Sequence, residues 1–347
     1  MLLDKYGYSN YKARQNDCTV GRITAVHKDR FKLICDYGEI SATLKTREYY
    51  YDGDVFPTVG DFVVLDYNPS GESQITKTLP RKSYFSRKDP DKGRGEQAVA
   101  ANFDYVFIIQ SLNHDFNIKR LERYLTIAWQ SGAEPIILLT KSDLVENADE
   151  YIRTANRYSM GARVFAISSV TGDGINDILP YISSGKTSVF LGSSGVGKSS
   201  LVNALAKEEI MAVNSIREDD SKGRHTTTHR QLIMLPSGAM IIDTPGMREL
   251  GMWGVGEGIV EAFSDVESYL GSCRYRDCSH KGEPGCAICA AIESGEISIE
   301  RWNSYNSLKS EAEYADDKAE FMRKKKEWHK NLSKGSKIMK ATGKIRR

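Results

Sequence analysis

One stretch constrains this chain more than any other: GSSGVGKS, Gly192 to Ser199. It fits GxxxxGK[ST] and stands between the apolar run TSVFL and the helix-forming run SLVNALA, the strand–loop–helix context that such a loop requires. Glycines there let backbone N–H groups turn inward around phosphate oxygens. Lys198 can reach the β- and γ-phosphates, and Ser199 can offer its hydroxyl to Mg²⁺. Gly192, Ser193, Ser194, Gly195, Val196, Gly197, Lys198, Ser199 and Ser200 are therefore the expected phosphate-binding residues.

The surroundings read as one sheet. FDYVFIIQS, PIILLTKSD, ARVFAIS, TSVFLGS and GAMIIDTPG are continuous apolar runs ending in polar or glycine turns. That is the pattern of parallel strands buried on both faces, with ligands at their carboxyl ends. Helices should alternate with them, and IKRLERYLTIAWQ repeats Ile118, Leu121, Tyr124, Leu125, Ala128 and Trp129 at helical spacing, a core-facing helix.

Three strand ends carry further chemistry. After PIILL comes TKSD: the Asp143 carboxylate can accept from guanine N1–H and the 2-amino group together, a donor pair that adenine lacks. Lys141 can lie along the base plane, with Ser142 between them. Thr140 stands where Asn is more usual, which predicts a weaker bond to the phosphate loop. Ser168 and Ser169 close ARVFA beside it and complete the expected base site. DTPG places Asp243 where a carboxylate can hold the Mg²⁺ shell, and Gly246 where an N–H can sense a γ-phosphate. In the intervening GRHTTTH, one of Thr226, Thr227 and Thr228 can ligate Mg²⁺. Thr227 is taken here, and its neighbours stay open.

The base reader thus precedes the phosphate loop, and DTPG comes last: a cyclic permutation of the usual GTPase order. A doubly wound sheet can be cut in one loop and rejoined at another without moving a site built from strand ends.

The remainder of the 347 residues divides around this centre. Residues 18–78 show five short β-rich runs between turn residues, which fits a small barrel such as an OB-fold. RKSYFSRKDPDKGRG, residues 81–95, reads as an exposed basic linker. Cys273, Cys278, Cys286 and Cys289 crowd around His280, which points to metal rather than disulfides. Five ligands compete there for four tetrahedral positions, and spacing alone does not choose. A full set of four makes the zinc structural. Residues 298–333 read as helical. The segment 321–347 holds eleven Lys/Arg against one acid, although the whole chain is only +2. The expected domains are 1–80, an OB-fold-like RNA-binding domain; 81–100, a basic linker; 101–262, permuted α/β GTPase domain; and 263–347, zinc module with a helical, basic tail.

Together these features resemble the circularly permuted GTPases, specifically the ribosome small subunit-dependent GTPase A family, which assists late maturation of the small ribosomal subunit. The resemblance runs from about residue 18 through AVAANFDYVFII, FNIKRLERYL, TKSDL, GSSGVGKSS, GRHTTTH and DTPG to CRYRDCSHKGEPGC. It implies a GTPase that binds GTP and GDP with Mg²⁺ and has the small subunit and its rRNA as partners. It also implies a zinc set of Cys-x₄-Cys-x-His-x₅-Cys on Cys273, Cys278, His280 and Cys286, with Cys289 spare.

RNA contacts are expected on the basic linker, which contains Tyr84 and Phe85, and on the tail. The OB-like segment 1–80 is nearly neutral, with ten basic and eleven acidic residues. Met247 follows the DTPG glycine where a water-orienting glutamine is common, so unaided turnover should be slow, and His225 is the candidate catalytic residue. A nucleic-acid-binding module with a static phosphate loop is the alternative class. An ATP-dependent kinase is disfavoured by TKSD and by the lack of an evident acceptor domain. With no apolar run of signal or membrane-span length, a cytoplasmic monomer without a membrane partner is expected.

Overall fold

The structure, a computed structural model, describes residues 1–11, 18–27, 30–45, 55–88, 96–113, 115–211, 231–243 and 255–316. A short helix, α1 (Leu2–Lys5), leads into five strands: β1 (Thr19–His27), β2 (Arg30–Cys35), β3 (Gly38–Leu44), β4 (Phe62–Asp66) and β5 (Ser73–Thr78). They pair in the order β1-β2-β3-β5-β4, and β4 returns to β1, which closes a barrel. Period-two burial explains β2: Phe31, Leu33 and Cys35 face inward, while Arg30 and Lys32 stay out. The inward set of Ile23, Phe31, Leu33, Ala42, Val63 and Ile75 fills the barrel.

The segment expected as an exposed linker is partly built into the protein. Here β6 (Tyr84–Lys88) pairs antiparallel with β7 (Glu96–Ala101). Phe85 is 2% exposed and stacks on Phe103 with ring centroids 4.9 Å apart. Arg81 bonds both carboxylate oxygens of buried Asp61, at 2.8 and 2.7 Å. Composition reads the charges and misses the alternation that sends Ser83 and Phe85 inward. Phe85 is thus a core residue, Tyr84 stays exposed, and residues 89–95 lie outside the described set.

Next come β8 (Tyr105–Ser111), α2 (Ile118–Gln130), β9 (Glu134–Thr140), α3 (Ala148–Arg157), β10 (Arg163–Ile167), α4 (Ile175–Ile178), β11 (Thr187–Gly192), α5 (Lys198–Ala206), β12 (Gln231–Met234) and β13 (Met240–Asp243). Their order is β10-β9-β8-β11-β13-β12, parallel except for β12. In α2, Asn117 caps the start by accepting from the Arg120 N–H at 3.0 Å, and Leu121, Tyr124, Leu125 and Ala128 turn to the core.

Barrel and sheet are continuous, because β1 pairs with β12 at Ala25 and Gln231. Arg22 secures the junction. Its guanidinium is buried and donates to the carbonyl oxygens of Tyr6 (2.6 Å), Asn102 (2.9 Å) and Gly60 (3.2 Å). Burial lowers its pKa to about 10. Gly60 fits this contact only without a side chain: its φ is +90°, and a Cβ there would stand 2.1 Å from the Ala101 carbonyl oxygen.

The C-terminal part contains α6 (Gly256–Ala262), α7 (Ser264–Glu267), α8 (Ala287–Glu293) and a last helix, α9, over residues 299–316. Arg301 of α9 anchors it. The guanidinium lies 3.9 Å over the Phe263 ring and donates to Glu122 of α2 at 3.0 Å and to Asp265 at 2.9 and 3.0 Å. Among the described residues, no helix is long and apolar enough to cross a membrane.

Candidate functional site

Register brings the motif ends to one edge of the sheet. Thr140 at the end of β9 stands between Ser111 of β8 and Ile167 of β10, Gly192 pairs with Ile109, and β13 runs beside β11 to end at Asp243. The GSSGVGKS loop, the TKSD turn expected to read the base, the Ser168–Ser169 turn and Asp243 therefore leave the sheet on the same side, as expected of a ligand crevice.

The loop after β11 is shaped by its glycines. A Cβ at Gly192 would lie 2.5 Å from the Ile109 carbonyl oxygen, so the strand can end there only as glycine. Gly195 and Gly197 have φ of +77° and +95°, and they turn the backbone into the start of α5. Lys198 opens that helix, and its ammonium donates to the carbonyl oxygens of Gly192 (2.7 Å) and Ser193 (2.6 Å), which holds the charge in the mouth of the loop. Ser194 is exposed, and Ser193, Ser199 and Ser200 are half-buried around the same turn. Buried Val196 anchors the loop in the apolar layer with Ile109, Leu138 and Leu201.

Thr140 differs from expectation. Its hydroxyl donates to the Val196 carbonyl oxygen at 2.6 Å, and the residue is 2% exposed. The bond to the phosphate loop is short, not weakened. The hydroxyl packs directly against the loop: its Oγ1 lies 3.9 Å from where a Cβ on Gly197 would stand. Lys141 follows in the left-handed region at φ +59°, a conformation costly for a non-glycine residue, and the turn Ser142–Leu144 leaves Asp143 exposed.

Ser168 is fully buried, and its hydroxyl accepts the N–H groups of Val170 (3.2 Å) and Thr171 (3.1 Å), so its side chain shapes the loop from within. Ser169 is half-buried. Sequence reasoning missed Gly174, which closes this loop. It has φ +69°, and a Cβ would meet the Ala166 carbonyl oxygen at 2.2 Å. The TGDG spelling was its only signal.

Burial holds the Asp243 carboxyl above its usual range, and Lys198 only partly offsets this. A carboxylate in that setting is relieved by a divalent cation, so the donor set suits Mg²⁺. His225, Thr226, Thr227, Thr228, Gly246 and Met247 lie outside the described residues.

A second centre lies in the C-terminal module. One ligand atom from each of Cys273, Cys278, His280 and Cys286 falls within 4.8 Å of the others, with His280 Nδ1 at 3.5 Å from both Cys273 Sγ and Cys286 Sγ. Cys289 is outside that group. The thiols cannot share the space as independent groups. Burial raises Cys286, but donors from Cys289 and His280 outweigh it and bring it down to about 6. For Cys278, a backbone N–H bond from His280 lowers the pKa, yet burial and the thiols of Cys286 and Cys273 prevail and push it up to about 12. A divalent soft cation would ionise all three, so the set fits zinc. Glu283 clamps the loop between the ligands: it accepts from the Ser279 hydroxyl and from the N–H groups of Ser279 (3.0 Å) and Lys281 (2.7 Å), which brings it down to about 2. Sequence reasoning missed it, because an acid in a polar loop carries no pattern of its own.

Comparisons with known proteins agree with this geometry. A family model described as RsgA GTPase matches residues 78–253. Small ribosomal subunit biogenesis GTPase RsgA 1 of Listeria monocytogenes is 44% identical over 318 residues, 90% of this chain and 90% of that protein. Small ribosomal subunit biogenesis GTPase RsgA 2 of Lactiplantibacillus plantarum is 44% identical over 303 residues, 87% of this chain and 85% of that one. Among solved structures, YjeQ from Thermotoga maritima superposes with a TM-score of 0.63 at 25% identity, covering 84% of this chain and 96% of its own. YloQ, titled a circularly permuted GTPase, gives 0.61 at 24% identity, with 87% and 97% covered, a likeness of fold. The 44% identity along nine-tenths of the sequence, with a family model over half of it, means that the chain belongs to the RsgA GTPase family and is a GTP-hydrolysing enzyme.

Proposed function

We propose that this GTPase is an assembly factor for the small ribosomal subunit, that it binds rRNA, and that the subunit stimulates its hydrolysis. The names of its relatives supply the subunit. The observation that carries the site is the Thr140 hydroxyl on the Val196 carbonyl at 2.6 Å, which fastens a guanine-reading turn to a phosphate loop that follows it in sequence.

In this reading Asp143 accepts from the guanine N1–H and 2-amino groups, Lys141 lies along the base, and Ser142 and Ser169 border it. Backbone N–H groups from Gly192 to Ser200 hold the phosphates, and Lys198 swings from the loop carbonyls toward the β- and γ-oxygens. Ser199, Asp243 and Thr227 would hold Mg²⁺, which when bound neutralises charge developing between the β- and γ-phosphates. Gly246 senses the γ-phosphate. Water attacks the γ-phosphorus, the bond to the β–γ bridging oxygen breaks, and GDP and phosphate leave. Met247 offers no strong hydrogen bond to that water, so the chain alone is slow. In the subunit-bound state His225 orients the water.

Zinc on Cys273, Cys278, His280 and Cys286 is structural, since four protein ligands leave no open position. The chain acts as a cytoplasmic monomer. Phosphate release from GTP, measured with and without purified small subunits, tests the reading. A rate that rises with subunits, and that His225→Ala loses while nucleotide binding persists, supports it. Equal rates with and without subunits would overturn it.

A further inference from the structure

Cys289 is the fifth candidate ligand of a cluster that needs four donors, and its placement is specific. Cys286 is the N-cap of α8 and Cys289 is the third residue of that helix. The Cys289 N–H donates to Cys286 Sγ at 3.4 Å, and the Cys289 thiol points back over the cluster to the His280 carbonyl oxygen at 3.9 Å. This is one half of a capping box: the N-cap side chain accepts the N–H of the third helical residue, which fixes the two cysteines on adjoining positions of the same turn. Side chains three residues apart on a helical turn have Cβ atoms about 5–6 Å apart, so a disulfide, at about 3.5–4.5 Å, asks for a closing of roughly 1–2 Å. Cys289 is half-buried and accessible, whereas Cys286 is 4% exposed.

We propose that Cys289 is a peroxide-reactive thiol, and that hydroperoxide converts Cys286 and Cys289 into a disulfide that releases zinc from the module. The inference rests on the zinc reading given above. Hydroperoxide transfers one oxygen to the Cys289 sulfur, which gives a sulfenic acid and water. The Cys286 thiolate then attacks that sulfur: the S–S bond forms, the S–O bond breaks, and hydroxide leaves. Two electrons pass from the sulfur pair to the peroxide O–O bond. The disulfide withdraws Cys286 from the ligand set, leaving Cys273, Cys278 and His280. A thiol reductant restores both sulfurs and, with zinc present, the site.

The test uses the zinc-loaded full chain treated with hydrogen peroxide. Zinc release is followed with a chromogenic chelator, and the linked pair is identified by peptide mass mapping after alkylation. Zinc should leave as the Cys286–Cys289 bridge forms and return after reduction. In Cys289→Ala, zinc should bind normally and its release should slow by about tenfold or more, since the sulfur that is oxidised first and then bridged to Cys286 is gone. Mapping of the unaltered chain decides independently of that variant: a bridge between any other pair overturns the proposal. Release from Cys289→Ala at the unaltered rate also overturns it, as does a Cys289→Ala chain that takes up no zinc. A chain that binds no zinc before oxidation sinks the zinc reading itself, a failure distinct from the others.

Discussion

At position 140 a hydroxyl fills the place of a carboxamide, and the 2.6 Å bond to Val196 makes that substitution testable. Thr140→Val keeps the shape and removes the donor, which deprives a buried carbonyl of this partner at a cost of about 1–3 kcal/mol. Part of that should appear as looser coupling between base turn and phosphate loop. GTP affinity is expected to fall by roughly tenfold, equivalent to about 1.4 kcal/mol, with Thr140→Ser close to the unaltered chain. Nucleotide titration by fluorescence measures it, and equal affinities in Val and Ser variants would show that the bond carries nothing. Base choice is a separate matter of donors and acceptors. Asp143→Asn presents one of each, matching N1–H and the 2-oxo group of xanthine. Xanthosine triphosphate should then displace GTP in competition assays, and continued preference for GTP would remove Asp143 from the base site.

Elements were legible wherever their residues repeat with a period. The five barrel strands, the buried parallel strands and α2 announce themselves by alternation or helical spacing, and the glycine-bearing loops by spelling. What escaped reading depends on partners far away in the chain. Arg81 looks like linker charge until Asp61 is beside it, Arg22 like a barrel-surface cation until Gly60 and Asn102 surround it, and Arg301 like one more charge of a polar helix until Glu122, 179 residues earlier, meets it. The C-terminal module has little apolar core of its own around the ligand loop, where Arg274, Tyr275, Arg276 and Asp277 are all exposed. Metal binding should therefore supply much of its folding free energy, on the order of 10–16 kcal/mol in small zinc peptides. Cys278→Ser or His280→Ala should open residues 270–290 to protease in limited digestion, yet leave GTP affinity near normal, because the hydrogen bonds of the ligand residues stay within the loop. Persistence of the undigested module in both variants would show that apolar packing through Ile288 and Arg301 holds it without metal.

For the molecule as a whole, charge is divided in a way that the net value conceals. The chain is +2, but the segment after Phe321 carries a net charge of +10, so the rest, where the GTPase and barrel lie, is acidic. An acidic body is repelled by phosphate unless basic groups are brought to the contact, and the expected aromatic support in the linker is halved because Phe85 is buried in the core. In the proposed rRNA-binding role the burden of long-range attraction would thus fall on the tail, which follows α9 in sequence, the helix that Arg301 ties to α2. Truncation after Phe321 should weaken binding to small subunits and flatten its salt dependence, each lost phosphate contact reducing the slope of log affinity against log salt by roughly 0.7–0.9. Hydrolysis of GTP by the isolated protein should not change, since the strand-end site gains nothing from the tail. The decisive measurement is a salt titration of subunit binding by full-length and truncated chains, with phosphate release from the free proteins alongside. A smaller slope with unaltered basal hydrolysis identifies the tail as an electrostatic tether, whereas an unchanged slope would return RNA contact to a local face of the barrel or of the zinc loop.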